Sequence, residues 1–553
     1  MFFGRKAQYK TKSNVFVKLL DKEVDEFTVP EGVREIEAEA FSDCSQLKSI
    51  VIPAGVTSIG RGAFWDCSSL LSLTIPSSVT GIGSYAFWGC SSLSSVVIPS
   101  GVTSIGDWAF SGCSSLSSLV IPNSVTSIGD GAFEGCSSLS SLVIPNSVTR
   151  IGDVAFSGCS SLSSLVIPSS VTRIGEGAFS GCSSLTTLEV DKNNPEYCSF
   201  DGALFTKDQK TLILCPPGLH DYSIPSSATG IGSYAFWYCS SLSSLVIPNS
   251  VTSIEDWAFE GCSSLSSLTL PSGVTSIGTC VFEKCSSLTT LEVDKNNPEY
   301  CSNDGALFTK DRKTLVLCPP GRHDCAIPPG VTCIGNSAFS GCSSLSSLVI
   351  PNSVTSIEDW AFEGCSSLSS LTIPSSVTSI GGHAFYGCSS LSSLVIPSGA
   401  TSIGNCTFKD CRRLSSLTIP SSVTSIGDRA FWDCSSLTTL ALPVGLTSIG
   451  DCAFYGCSSL SSLTLPSGVT SIGEHAFSGC SSLSSLTLPS GVTSIGDKAF
   501  WGCSSLPSLT IPSSVTNIGD RAFFDCSNLT LRVPKGSYAE RYAKENKIKY
   551  ETF

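Results

Sequence analysis

Cysteine is the residue with most chemistry to offer in this chain, at 28 of 553 positions. Thiols ligate zinc, pair as disulfides or act as nucleophiles once ionised. Nineteen stand on one ruler: Cys44, Cys67, Cys90, Cys113, Cys136, Cys159 and Cys182 follow each other at 23 residues, and the series resumes at Cys239 and at Cys342. A side chain that recurs at an inward position beside Phe behaves as a small buried hydrophobe, so the ruler reads as a column of buried thiols. Other thiols lie off the ruler, with Cys198, Cys215 and His220 in one segment and Cys301, Cys318, His323 and Cys325 in another. Soft ligands gathered in a hairpin could bind zinc, but their spacing matches no compact zinc motif, and Tyr222 replaces the fourth ligand in the first segment. Ordinary hairpin packing and a local disulfide are the competing readings.

An acidic row recurs too, at Asp107, Asp130, Asp153, Asp428, Asp451, Asp497 and Asp520. Carboxylates in a row could hold calcium, but Ser84, Ser233 and Asn405 share the position, and Asp, Ser and Asn have helix N-capping in common. Capping is the reading adopted. His383 and His475 have no acid or nucleophile around them in sequence and read as solvated surface. Catalysis needs a convergent acid, base or nucleophile set. The sequence shows none, so no catalytic, cofactor-binding or metal residue is assigned, and the chain reads as non-enzymatic.

The elements that position these residues repeat with the cysteines. Between Cys67 and Cys90 the apolar positions are Leu70, Leu73, Ile75, Val79, Ile82, Ala86 and Phe87. Leu73-Thr74-Ile75 alternates, which predicts a short strand with Leu and Ile facing in. Pro76 ends it, having no N–H for a ladder. Val79-Thr80-x-Ile82 predicts a second extended stretch, and the i, i+1, i+4 spacing of Ala86, Phe87 and Cys90 predicts one helical turn. A single coil buries too little to offset the entropy of ordering it, so coils must stack and share their apolar ladders. A period of this length carrying Leu-x-x-Leu-x-Ile marks a leucine-rich solenoid. The predicted fold is a β-rich leucine-rich-repeat solenoid, a curved right-handed superhelix of about twenty 23-residue coils with short strands and one helical turn per coil.

The full motif, Leu-x-x-Leu-x-Ile-Pro-x-x-Val-x-x-Ile-Gly-x-x-Ala-Phe-x-x-Cys, resembles the BspA-like class of leucine-rich repeats over nearly all of residues 24–553. Pro, Ala-Phe and Cys at set positions make the likeness specific. The resemblance implies the fold strongly. It also implies a cell-surface or secreted microbial protein that adheres to host or matrix proteins. The N-terminus is basic without an apolar core of seven or more residues, and reads as no secretory signal. A surface and a cytoplasmic location therefore both stay open.

Two inserts break the monotony. Residues 191–219 and 294–322 are near copies, DKNNPEYCSFDGALFTKDQKTLILCPPGL and DKNNPEYCSNDGALFTKDRKTLVLCPPGR, each predicted to form a protruding hairpin. The organisation expected is an N-terminal segment 1–23, a solenoid 24–534, and a helical cap 535–553 opened by a capping box at Ser537 and Glu540. Net charge is −13, a balance that repels phosphate backbones and excludes nucleic acid as a partner. No apolar run reaches membrane-spanning length.

All eight tryptophans flank the Ala-Phe pair. Trp65, Trp88, Trp237, Trp432 and Trp501 follow it, Trp108, Trp257 and Trp360 precede it, and Tyr85 and Tyr234 join the same ridge. Lateral packing competes with a binding role, since exposed aromatics are frequent interface anchors. The functional expectation is a protein-binding scaffold or adhesin with a protein and, second, a glycan as partner. An intracellular scaffold and a structural or ice-binding Ser/Thr lattice are the alternatives, and the oligomeric state is left open.

Overall fold

The computed structural model describes residues 8–553. The first seven residues, on which part of the signal-peptide reading falls, lie outside the described residues. Two compact units are present: one takes in the chain up to Leu265 together with Gly273–Phe282, the other Ser266–Ser272 together with Glu283–Phe553.

Each coil places a first strand, a second strand and a turn segment around an apolar interior. In the coil of Leu73 these are Ser72–Thr74, Gly81–Ile82 and residues 83–90. Leu73 and Ile75 are buried and Thr74 is exposed, as the alternation requires. Strands pair in parallel with their equivalents one period on, Ser72 with Ser95, Leu73 with Val96 and Ile82 with Ile105. Because the register step equals the sequence period, like residues stack on like. Phe16, Phe41, Phe64, Phe87, Phe110, Phe133, Phe156 and Phe179 form one column with ring centroids 4.7 to 5.6 Å apart.

The turn segment corrects the expectation of one helical turn per coil. Tyr85 and Gly89 take left-handed φ values of 61° and 73°. Their N–H groups, with that of Phe87 between them, donate to Asp107, Ala109 and Ser111 of the next coil at 2.7 to 2.8 Å. Ala86, Trp88 and Cys90 donate back to Gly83, Tyr85 and Phe87 within the coil. A helix would turn every N–H along its own axis. The two left-handed residues instead aim alternate N–H groups across the stack, so this side is laddered as well.

Both ends are closed by local devices. A hairpin of Tyr9–Lys12 and Val15–Leu19 buries Phe16 and Leu19, and Val15 and Phe16 pair in parallel with Glu35 and Ile36. At the other end the helix Tyr538–Glu545 is capped by the Ser537 hydroxyl, which accepts from the Glu540 N–H. The Glu540 carboxylate accepts from the Gly536 N–H in return. Tyr542 ties the helix to the last coil, its hydroxyl accepting from the Ala522 N–H and donating to the Gly519 carbonyl.

The inserts do not protrude as expected. Strands Tyr197–Phe200, Ala203–Thr206 and Thr211–Leu214 form an antiparallel meander, and the third pairs in parallel with Gly230–Ile231. Ala203, Leu204, Phe205 and Leu212 are fully buried, so this hairpin lies in the core, with its tip and the turn at Phe200 and Asp201 exposed. Cys215 takes the place of the column Phe, donating its N–H to Ala235 at 2.7 Å as Phe64 does to Ala86. The second insert repeats this with Tyr300–Asn303, Ala306–Thr309, Thr314–Leu317 and Cys318. Its apolar residues demanded burial, and adding a coil supplies it.

Candidate interaction surfaces

The ruler thiols form an internal column. Cys67, Cys90, Cys113, Cys136, Cys159 and Cys182 each donate to the Phe carbonyl 26 residues earlier at 3.1 to 3.3 Å, all with no exposed surface. None of the described cysteines is joined in a disulfide. Burial pushes Cys136 and Cys182 up to about 12, which keeps them protonated and unreactive at neutral pH.

The polar columns have the same logic. Ser91, Ser94 and Thr126 donate their hydroxyls to the carbonyls of Ser68, Leu71 and Thr103, each 23 residues back. Ser124 donates to the Val102 carbonyl, 22 residues back, at 2.6 Å. The Ser and Thr that dominate the composition thus satisfy carbonyls along the stack.

The acidic row is not a set of helix caps. Asp107 accepts from the Asp130 N–H at 3.0 Å, Asp130 from Asp153 at 3.0 Å and Asp153 from Glu176 at 3.1 Å. Asn405, Asp428 and Asp451 do the same for Asp428, Asp451 and Glu474. Each oxygen meets the equivalent backbone of the next coil, which in-register stacking brings within reach and which single-coil reasoning could not see.

All ten ridge aromatics, Trp65, Tyr85, Trp88, Trp108, Tyr234, Trp237, Trp257, Trp360, Trp432 and Trp501, are half-buried. Tyr85 stacks between Trp65 and Trp108 at 5.5 and 5.4 Å, Tyr234 stacks on Trp257 at 5.4 Å, and Trp432 stacks on Tyr455 at 4.3 Å. Lys409 and Arg429 lie over Trp432, and Lys498 lies over Trp501. The Trp108 indole covers Gly131, and Trp237 covers Gly177. The ridge therefore presents ring edges and cationic heads more than open ring faces. His383 is half-buried and stacks on Trp360 at 3.7 Å, which corrects its reading as solvated surface, and burial lowers its pKa. His475 is likewise half-buried, 6.1 Å from the Tyr455 ring.

The insert thiols and histidines have separate engagements. Cys198 donates to Thr206 across its hairpin at 3.2 Å, Cys215 is in the core column, and His220 is exposed with Nδ1 3.3 Å from the Ser241 carbonyl oxygen. Sequence reasoning passed over Asn194, which is fully buried. Its amide donates to Pro168 and Val171 at 2.8 Å and accepts from the N–H groups of Glu196 and Tyr197 at 2.9 Å. The Asp-Lys-Asn-Asn-Pro string preceding the hairpin was its signal.

The strand face, which reads from sequence as Ser, Ser and Thr or Val on almost every coil, uncharged, flat and nearly featureless, carries an exposed apolar column. Val97, Val120 and Val166 point outward from strands Ser95–Val97, Ser118–Val120 and Ser164–Ile167, and Val143 holds the equivalent position on the coil between the last two, at 67, 66, 55 and 79 % exposure. Ser pairs flank them on every coil, and no charged side chain intervenes.

This repeating three-sided coil defines a leucine-rich-repeat β-solenoid. The chain belongs to the family described as BspA type leucine rich repeat region, which matches it over residues 11–137, 107–200, 215–304, 323–438 and 424–543. Among solved structures, a leucine-rich repeat protein from Eubacterium ventriosum is similar at 23% identity and TM-score 0.39, over 81% of this chain and 91% of that one. One from Bacteroides ovatus is similar at 25% identity and TM-score 0.28, over 87% and 92%. The pneumococcal vaccine antigen PcpA is similar at 17% identity and TM-score 0.29, over 98% and 95%. No curated protein matches the chain.

Proposed function

We propose that this is a non-enzymatic, protein-binding repeat protein of adhesin type, and that its contact surface lies on the strand face at Val97, Val120, Val143 and Val166. The observation that carries the reading is that column itself. Four branched apolar side chains more than half exposed on consecutive coils, in a strip without charge, are costly in water and suit an apolar partner surface. Packing gives no reason for valine there, because other coils place Thr74, Thr269, Thr372 and Thr418 at the same position. The second reading keeps the ridge aromatics as anchors, favoured by the cationic heads over Trp432 and Trp501.

The test replaces the four valines by threonine and measures binding to immobilised host and matrix proteins. Affinity should fall at least about tenfold with melting unchanged. A parallel variant replaces Trp65, Trp88 and Trp108, and another deletes the exposed tips 207–210 and 310–313. Binding that survives the valine changes and falls with the ridge or tip variants moves the surface there. Absence of binding across the whole set removes the adhesin reading.

A further inference from the structure

The two inserts share one corner and differ in the residue that fills it. In the first, the Leu188 N–H donates to the Gly202 carbonyl at 2.8 Å and the Gly218 N–H to the Leu185 carbonyl at 2.9 Å. The second repeats both bonds, Leu291 to Gly305 and Gly321 to Leu288, at 2.8 Å. Asp201 and Asp304 take the same left-handed turn, with φ of 47° and 48°. Gly218 is followed by Leu219, however, and Gly321 by Arg322.

That arginine shows what the corner can hold. Its Nη1 donates to the Asp304 backbone carbonyl, and its Nη2 donates to the Asp304 carboxylate at 2.9 Å and lies 3.5 Å from the Asp324 carboxylate. Its Nε donates to the Asp324 carbonyl at 2.9 Å. A methyl group on Gly305 would sit 3.2 Å from Nη1, so the cation lies over the turn, with its side chain only 17 % exposed. A planar fork of five donors suits acceptors spread in this way, and the compact ammonium of lysine does not.

The first insert has equivalent carboxylates and no arginine. Asp201 and Asp221 stand where Asp304 and Asp324 do, both exposed, and among the described residues neither is in an ion pair. A methyl group on Gly202 would meet only Thr186 and Thr187 within 4 Å, so no side chain lies over this turn as Arg322 lies over Gly305. A cavity of about 490 Å³ opens there, between Thr186 and Thr187 on one side and Leu219 and Asp221 on the other, with Asp201 in its wall. It opens on the strand face, because Thr187–Val190 pairs with the strand that carries Val166 and Asp221–Ser223 pairs with Ser244–Val246. Two exposed carboxylates alone define no site, but the equivalent pair already ligates a guanidinium in the second insert.

We propose that this notch in the first insert receives an arginine side chain of a protein partner. Its guanidinium is held over Gly202 by the Asp201 carbonyl and carboxylate and by the Asp221 carboxylate, in charge-assisted hydrogen bonds. The second insert is closed to such a ligand by its own Arg322. The notch is separate from the valine column and stands whether or not that column binds.

The experiment titrates the peptide acetyl-Gly-Arg-Gly-amide into native full-length protein at low salt and follows it by saturation-transfer difference NMR, which reads weak binding to a large protein. The arginine side-chain signals should saturate in the millimolar range. The citrulline peptide, alike in shape but uncharged, and the lysine peptide should each bind at least about tenfold more weakly. Leu219→Arg gives the notch a guanidinium of its own and should abolish binding. Asp201→Asn keeps a residue that tolerates the left-handed turn, and should weaken binding about tenfold with melting unchanged. Should Leu219→Arg disturb melting, Asp201→Asn carries the test alone. Replacing the four valines should leave peptide binding unchanged, so the two surfaces fail separately. Equal binding of the lysine or citrulline peptide, arginine binding that survives Asp201→Asn, or no saturable binding overturns the proposal.

Discussion

Gly131 provides the sharpest test of how the coils fit. It has φ of 57°, and a methyl group there would sit 2.3 Å from the Trp108 Nε1 and 2.5 Å from its Cδ1. Gly131→Ala therefore imposes two penalties. A left-handed non-glycine residue costs about 1 to 2 kcal/mol, though the stack sustains it elsewhere, with Val154 at 47° and Lys498 at 50°. Displacing the indole is an overpacking penalty of about 1 to 3 kcal/mol, which includes loss of the 5.4 Å stack on Tyr85. The sum is about 2 to 5 kcal/mol, or roughly 30-fold to a few-thousand-fold in a local opening equilibrium. Native-state hydrogen exchange is the appropriate assay because stacked coils open locally as well as globally. The amide of Phe133, bonded to Ala155 at 2.8 Å, reports on this coil. In a Trp108→Ala background the indole is gone, and only the left-handed penalty should remain. Equal loss of protection in both backgrounds, or a loss below about threefold in the native one, would falsify the claim that glycine is there to admit the ring.

Other expectations follow from the same geometry. Because burial raises Cys136 and Cys182 to about 12 from an ordinary 9.0, the folded chain holds protons that the unfolded chain releases, so stability should be full below pH 9 and fall between pH 9 and 12. Each such thiol contributes a slope of about 1.4 kcal/mol per pH unit, and Cys136→Ala should flatten the alkaline limb of a pH–melting profile. Alkylation should spare the ruler cysteines in native protein and reach all of them after denaturation without reductant. Asn194→Ala removes four hydrogen bonds from a buried site, and should cost about 2 to 4 kcal/mol and expose the Glu196 and Tyr197 amides to exchange. Deleting residues 114–136, one whole period, should leave circular dichroism and melting nearly intact, while deleting eleven residues of that stretch should disrupt the coil locally.

The sequence by itself determined everything that depends on periodicity within one coil. Leu73 in and Thr74 out, the strand ended at Pro76, the buried Phe and Cys columns, and the Ser537 cap all follow from spacing and side-chain type, because the 23-residue period carries each residue to the same environment on every coil. What depends on the neighbouring coil was not legible. The oxygen of Asp107 has a capping partner in its own turn as far as sequence can tell, and only stacking brings the Asp130 N–H to it. The x-Ala-Phe-x-x-Cys spacing is compatible with a helical turn, and only competition for hydrogen bonds between coils selects the left-handed pair at Tyr85 and Gly89. The tertiary structure likewise decided that the insert hairpins enter the core and that the ridge rings lie over one another and over Gly131 and Gly177. Those outcomes belong to contacts between residues about one coil or more apart, or between positions that no period relates, and a pattern read along one chain direction carries no information on them.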